Sequence, residues 1–332
     1  MSQNQTIAAE PEGTAVDRPE RTRRGSRLTA LIPIATLTLM YIVTVIVAPG
    51  YLRAPQIGLL LQLAAILGVV AIGQTLVILI GGIDLSVGAV VTFSNLLAAA
   101  AIRGNDSNLP KALFICLAAG AAVGLVNGLV ISYLKVPDLV ATLASMTAVI
   151  GIGLLVTRGA PQGTSSGLLN SFMTRRFLGV VTWGVILWLV LATVIVFALR
   201  RTIYGRYIYA VGLNREASRY AAVPVRRTVV SLYTLAGTFA GLAGVMLTGY
   251  VGSSYLASGD AYQMQSIAAV ILGGTSMFGG RGGYGGTVVG VLITVLLVSL
   301  LRVIGVAQAG QSIAYGAVIL LMLLLFTRRQ RA

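Results

Sequence analysis

Few side chains in this chain can do chemistry. Its 332 residues include no histidine and one cysteine, Cys116. Histidine-based metal sites, histidine general bases and an internal disulfide are therefore excluded. Cys116 lies inside an apolar run and reads as a small buried hydrophobe. Glycines crowd residues 267–286 (IAAVILGGTSMFGGRGGYGG), a stretch that invites reading as a phosphate loop. Such a loop needs Gly followed by Lys and then Ser or Thr. The only lysines, Lys111 and Lys135, follow Pro110 and Leu134, so nothing here cradles ATP in that way. The glycines instead predict a short helix that breaks and packs tightly. No catalytic residue and no metal site is predicted.

Three constellations remain. Gly81-Gly82-Ile83-Asp84-Leu85-Ser86 joins two apolar runs with almost no polar loop. One reading is a tight helix–turn–helix in which Asp84 and Ser86 cap the second helix. The other is a break at membrane depth, where irregular backbone is tolerated only if it lines a cavity. The second constellation is neutral polar residues within apolar runs: Gln74, Asn95, Asn127, Thr142, Ser145, Thr147 and Thr238. Such groups face the bundle interior, as helix–helix contacts or as pathway lining. The candidate pathway or helix-break set is Gln74, Gly81, Gly82, Asp84, Ser86, Asn127, Thr142, Gln265, Gly273, Gly274 and Thr275. The third is the hydrophilic segment 205–227. Asn214 is a good N-cap, Glu216 falls in the first turn, and Pro224 stops the helix after about two turns. A short helix over 214–222 results, with Gly212, Asn214, Glu216, Ala217, Arg219 and Tyr220 as candidate docking residues for a cytoplasmic partner. An ordinary basic loop resting on lipid is the alternative.

The elements that hold these residues are membrane helices. Hydrophobic residues make up 57% of the chain and charged ones 10%, against roughly 25% charged in soluble domains. Apolar runs of the length needed to cross about 30 Å of hydrocarbon recur. They are continuous, without the alternation of a β-barrel, so an all-α integral membrane fold is expected. Ten spans are predicted: 28–49, 57–80, 86–102, 112–134, 138–157, 179–199, 228–250, 264–279, 286–304 and 312–327. The third and eighth are short and abut glycine pairs, so they are candidates for broken or re-entrant segments. Residues 28–332 read as one transmembrane domain. The polar, aperiodic residues 1–27 read as a disordered tail.

The net charge of +15 sits in short segments between spans, where it acts as a topology signal rather than a nucleic-acid footprint. With the N-terminus inside, inner segments carry 17 basic residues and outer ones 7. Both termini and residues 205–227 are then cytoplasmic. Glycines at four-residue spacing, Gly120/Gly124/Gly128, Gly237/Gly241 and Gly286/Gly290, predict close helix packing.

At these motifs the chain resembles the permeases of ribose-type sugar ABC importers, a group that includes xylose, arabinose, galactoside and autoinducer-2 permeases. The resemblance rests on residues 81–88 (GGIDLSVG), 126–131 (VNGLVI), 136–143 (VPDLVATL), 205–223 and 267–283. It covers about residues 50–328, and GGIDLS followed by IAAVILGGTS favours the sugar branch over the related branched-chain amino-acid permeases. It implies a type II ABC importer-like dimeric membrane domain. It also implies two cytoplasmic ATPase modules that bind ATP and Mg, and a periplasmic or lipid-anchored sugar-binding protein. Gly212, Asn214, Ala217 and Arg219 match the family's coupling segment. Two departures stand out. The family often has Gly where Ala222 stands, and an acidic Glu-Leu-Asp where this chain has Gln263, Met264 and Gln265.

The function expected is the permease subunit of a monosaccharide importer in a bacterial inner membrane, not itself an enzyme. Its partners would be the ATPase, the binding protein, a second permease copy or paralogue, and lipid. The rivals are a stand-alone secondary transporter or channel, an ABC permease for another small neutral solute, and a membrane scaffold without a pathway.

Overall fold

The computed structural model describes residues 22–331 apart from Leu178. Thirteen α-helices follow one another. α1 (Thr22–Val47), α2 (Ala54–Leu79), α3 (Val87–Ile102), α4 (Leu109–Tyr133) and α5 (Asp138–Thr157) form the first half. A short α6 (Gly167–Thr174) precedes α7 (Trp183–Arg201), α8 (Ile203–Leu213) and α9 (Arg215–Tyr220). α10 (Val225–Val251), α11 (Asp260–Leu272), α12 (Tyr284–Val303) and α13 (Gln308–Arg331) complete the chain. Among the described residues there is no strand, only the isolated bridges Thr164–Ser253 and Phe177–Val181.

Each expected span overlaps a helix, and among the described residues six helices are long and apolar enough to cross a membrane: α2, α4, α5, α7, α10 and α12. Several expected boundaries need correction. The tail expected over 1–27 is already helical from Thr22, and residues 1–21 lie outside the described residues. The sixth span starts at Trp183, where Thr182 accepts from the Val185 amide and caps it, rather than at residue 179. The eighth, expected over 264–279, stops at Leu272. Beyond it Gly274, Gly279, Gly280, Gly282 and Gly283 all take positive φ, which no continuing helix allows. Two helices were not anticipated. α6 is capped by Ser166. α8 is capped by Thr202 and buries Ile208 and Val211, an amphipathic stripe inside a segment read only as hydrophilic.

α2 is the central post. Of its most apolar stretch 89% is buried, whereas for α5 the figure is 22%. A helix that is apolar all round must be surrounded by protein or by lipid, and α2 is surrounded by protein. The most extensive helix contact is that of α4 with α10. A Cβ on Gly120 would lie 2.2 Å from the Gly237 carbonyl oxygen, and one on Gly237 would lie 2.0 Å from that of Gly120. Gly124 meets the Tyr233 backbone and Gly128 that of Val230 in the same way. The glycine row thus lets two backbones touch, as its spacing predicts. Gly290 does the same for α12 against Ala269 of α11.

α3 and α11 are short. At about 1.5 Å rise per residue, the 13 residues of α11 fall well below the roughly 30 Å of hydrocarbon.

Candidate coupling site

α9 is built as its sequence requires. The Asn214 side chain accepts from the Ala217 amide at 3.0 Å, satisfying one free N–H of the first turn. Glu216 pairs with Arg219. Both are exposed, so the pair contributes little. The helix closes in a Schellman motif: the Ala222 amide donates to Arg219 O and the Val223 amide to Ser218 O. Ala222 occupies the left-handed position, at φ +58°, where glycine is usual. Pro224 follows and α10 begins.

One side of this segment faces the protein. Ser218 is buried, and Arg215 Nη2 donates to Ile80 O at 3.3 Å, next to the α2–α3 turn. Gly212 lies against two backbones at once: a Cβ there would sit 2.0 Å from Leu79 O and 2.5 Å from the Gly280 amide nitrogen. Gly280 in turn donates to Leu79 O at 2.9 Å. The segment 212–215, the GGIDLS turn and the glycine-rich loop therefore meet at one end of the bundle. The other side of α9 is open. Tyr220 is 91% exposed and Leu213 66%, and Ala217, Arg219 and Glu216 are exposed beside them. The exposed face thus combines an aromatic side chain of α9 with an apolar one from the end of α8.

The GGIDLS turn is locked rather than open. Gly81 takes φ +73°. Asp84 Oδ1 accepts from the Ser86 amide at 2.8 Å and from its hydroxyl at 2.6 Å. This is a turn closed on Ser86, and neither side chain caps the α3 amides beyond. Asn127 of α4 donates to Ser86 Oγ at 3.0 Å. Asp138, at the first turn of α5, accepts from the Ile83 amide at 2.6 Å. Asp84, Ser86 and Asn127 are each about 1% exposed. The turn thus ties α2, α3, α4 and α5 together. Asp138 was not singled out in the sequence, although it opens α5 directly after Pro137.

The other candidate pathway residues are scattered. Thr142 bonds back to Asp138 O within its own helix. Gln74 is fully buried in α2, and its amide atoms have no partner among the described residues. Thr275 Oγ1 accepts from the Gly283 amide and holds the glycine-rich loop closed. Gly273 and Gly274 line a cavity of about 410 Å³ with Arg200 and Tyr209. Gln265 is remote from all of these and donates to the Tyr315 hydroxyl of α13 at 3.0 Å. Beside α9, a cavity of about 240 Å³ is walled by Lys135, Asp138, Arg215, Arg219 and Arg226. Four cations and one carboxylate make it basic.

Comparison with known proteins accords with this arrangement. Residues 56–327 match the family described as branched-chain amino acid transport system / permease component. The ribose import permease protein RbsC of Bacillus subtilis (strain 168) is 40% identical over 298 residues, covering 88% of this chain and 91% of that protein. The fructose import permease protein FrcC of Rhizobium meliloti is 36% identical, covering 83% and 79%. The L-arabinose ABC transporter permease protein AraH of Azospirillum brasilense is 31% identical, covering 93% and 89%. No solved structure matches the chain. With its apolar helices and this match over most of its length, the chain belongs to the permease-component family of the branched-chain amino acid transport type and is a multi-pass protein of the bacterial cytoplasmic membrane.

Proposed function

We propose that the chain is the transport subunit of an ATP-driven importer of a monosaccharide. Relatives named for ribose, fructose and L-arabinose import support the sugar. The observation that carries the coupling mechanism is the junction of Gly212, Leu79 and Gly280 beneath the exposed face of α9. A push on α9 from a partner reaches the C-terminal end of the central α2 and the start of α12 through direct backbone contacts. A cytoplasmic ATPase, which holds the ATP and Mg, docks on Ala217, Tyr220 and Leu213. Its ATP cycle shifts the helices between two access states.

The finer features belong to the same reading. Ten helices cross the membrane. The end bearing α9 and both termini face the cytoplasm, as the distribution of basic residues favours. A second permease copy or paralogue completes the pathway, and a binding protein delivers sugar at the opposite end.

The test is co-purification with candidate ATPase and binding protein, followed by sugar-stimulated ATP hydrolysis. Wild type should assemble and respond. Ala217→Trp, at an exposed position, should insert normally but lose both responses. Sugar movement by the purified chain alone in liposomes would favour a stand-alone carrier instead.

A further inference from the structure

α7 ends in two exposed arginines, Arg200 and Arg201, at the end of the bundle that bears α9. Arginine at a helix C-terminus suits the helix dipole, and between spans it marks the inner side of the membrane. Those roles account for the charge but not for its surroundings. Neither arginine meets a carboxylate: the one ion pair among the described residues is Arg219–Glu216. Two spaces adjoin the arginines, and both are walled by Val196 and Arg200.

The first is a groove of about 390 Å³ along the exposed face of α7. It runs between the rows Ala192–Val196–Arg200 and Thr193–Phe197–Arg201, whose four-residue steps follow the helix axis. The Thr193 hydroxyl is spent on Leu189 O at 2.8 Å, so the groove is apolar up to the arginines. Phe197 is 64% exposed. All the walls come from α7, so among the described residues no other helix closes over it. The second space is a cavity of about 410 Å³ between α1, α7, α8 and the start of α12. Its floor is backbone: Gly274, Gly282 and Gly285 are exposed and bring no side chain. A Cβ on Gly274 would meet nothing within 4 Å, and one on Gly285 would lie 3.9 Å from Arg200 Nη2. The guanidinium thus stands over an open floor. The Tyr209 hydroxyl donates to Gly282 O at 2.9 Å and steadies one wall. Ile34 of α1, half exposed, brings an apolar one.

We propose that this face of α7 binds an anionic phospholipid of the phosphatidylglycerol kind. An acyl chain lies along the groove, the phosphate sits at Arg200 and Arg201, and the rest of the headgroup occupies the glycine-floored cavity. The placement rests on the orientation proposed above, which puts the arginines at the cytoplasmic leaflet, where anionic lipids carry the surface charge. A guanidinium takes two phosphate oxygens at once. Basic pockets between transmembrane helices at that level suit anionic headgroups. A free phosphate would use the arginines and leave the apolar groove bare, whereas a lipid matches both.

The test uses the full chain in phosphatidylcholine nanodiscs, with Phe197→Trp as a reporter in the groove. Brominated phosphatidylglycerol or brominated phosphatidylcholine is titrated in. Quenching is read as the increment over the wild-type chain, whose Trp183 and Trp188 lie in the other half of α7. Phosphatidylglycerol should associate about tenfold more tightly than phosphatidylcholine, since two arginines hold its headgroup. Arg200→Gln with Arg201→Gln should bring the two lipids level. Arg226→Gln with Arg227→Gln removes the same charge from two other exposed arginines at this end and should leave the preference in place. Millimolar inorganic phosphate, compared with chloride at equal ionic strength, should not displace the lipid. Equal quenching by the two lipids in the reporter protein would overturn the inference. So would a preference that survives loss of Arg200 and Arg201, one that disappears equally with Arg226 and Arg227, or displacement by inorganic phosphate. No quenching by either lipid would show that protein, such as a second copy of the chain, covers the groove, and would overturn it as well. Both leaflets of a nanodisc share one composition and no transport is measured, so each of these outcomes is independent of the orientation and of the importer reading.

Discussion

The Gly280 amide donates to the Leu79 carbonyl at 2.9 Å, although most of the chain lies between them, and Gly212 fills the space beside that bond with hydrogen alone. Leu79 ends the central helix, Gly280 belongs to the loop before α12, and Gly212 lies in α8 just ahead of the exposed α9. One hydrogen bond and one missing side chain thus join the segment leading into the exposed α9 to the end of the central α2 and to the loop before α12.

Gly212→Ala tests that junction. The added Cβ meets backbone atoms on two sides, which cannot swing away as a side chain end would. Overpacking of this kind costs about 1–3 kcal/mol, and α8 must lift from α2 to relieve it. The thermal midpoint of the detergent-solubilised protein should fall. The ATPase should still bind α9 while sugar-stimulated hydrolysis drops. An unchanged midpoint together with unchanged hydrolysis would show that the junction transmits nothing.

Ala222→Gly should stabilise the end of α9. A residue with a Cβ in the left-handed region costs about 1–2 kcal/mol, and glycine's greater freedom when unfolded takes back part of the gain. A net increase of about 0.5–1 kcal/mol is expected. Amide exchange at Val223, whose N–H closes the Schellman motif on Ser218, should slow severalfold. Faster exchange would contradict the assigned geometry.

Tyr220→Cys reports on topology better than a cysteine at Ser218 does, because Ser218 is buried while Tyr220 is 91% exposed. On a Cys116→Ala background, an impermeant maleimide should label it in inside-out vesicles and not in intact cells. Labelling from the outside of intact cells would reverse the orientation of the bundle.

Asp106 lies in the turn between α3 and α4, at the end away from α9, and its carboxylate accepts from the Leu168 amide of α6 at 2.8 Å. That hydrogen bond holds its pKa below the usual carboxylate range. A depressed folded value means that the clamp stabilises at pH above the ordinary carboxylate range and is lost as pH falls through the lowered value. Leu168 amide protection, corrected for intrinsic exchange, should therefore weaken in acid. In Asp106→Asn it should be lower at neutral pH and flat with pH. Equal pH profiles for the two proteins would dismiss the clamp.

Local physics made much of this fold legible in the sequence. Apolar runs without charge must be helical in lipid because the backbone has no other partner there. Glycines four apart marked faces of α4 and α10 for close packing without saying which helix would meet them, and Asn214 with Pro224 marked the start and stop of α9. These effects act within a few residues of one another. Depth, neighbours and convergence were decided by tertiary packing. α2 and α5 are comparably apolar, and both read as spans, yet one is the core post and the other faces outward. Hydropathy measures transfer out of water and is the same whether lipid or protein receives the side chain. The anchoring of the segment between α10 and α11 is likewise tertiary: Asn95 Nδ2 donates to Ser253 O and Thr92 Oγ1 accepts from the Gly259 amide, contacts that no local pattern announces. No local signal encodes that Gly212, Leu79 and Gly280 meet, since each glycine alone reads as a turn or a packing contact. Their meeting follows from where the long helices end.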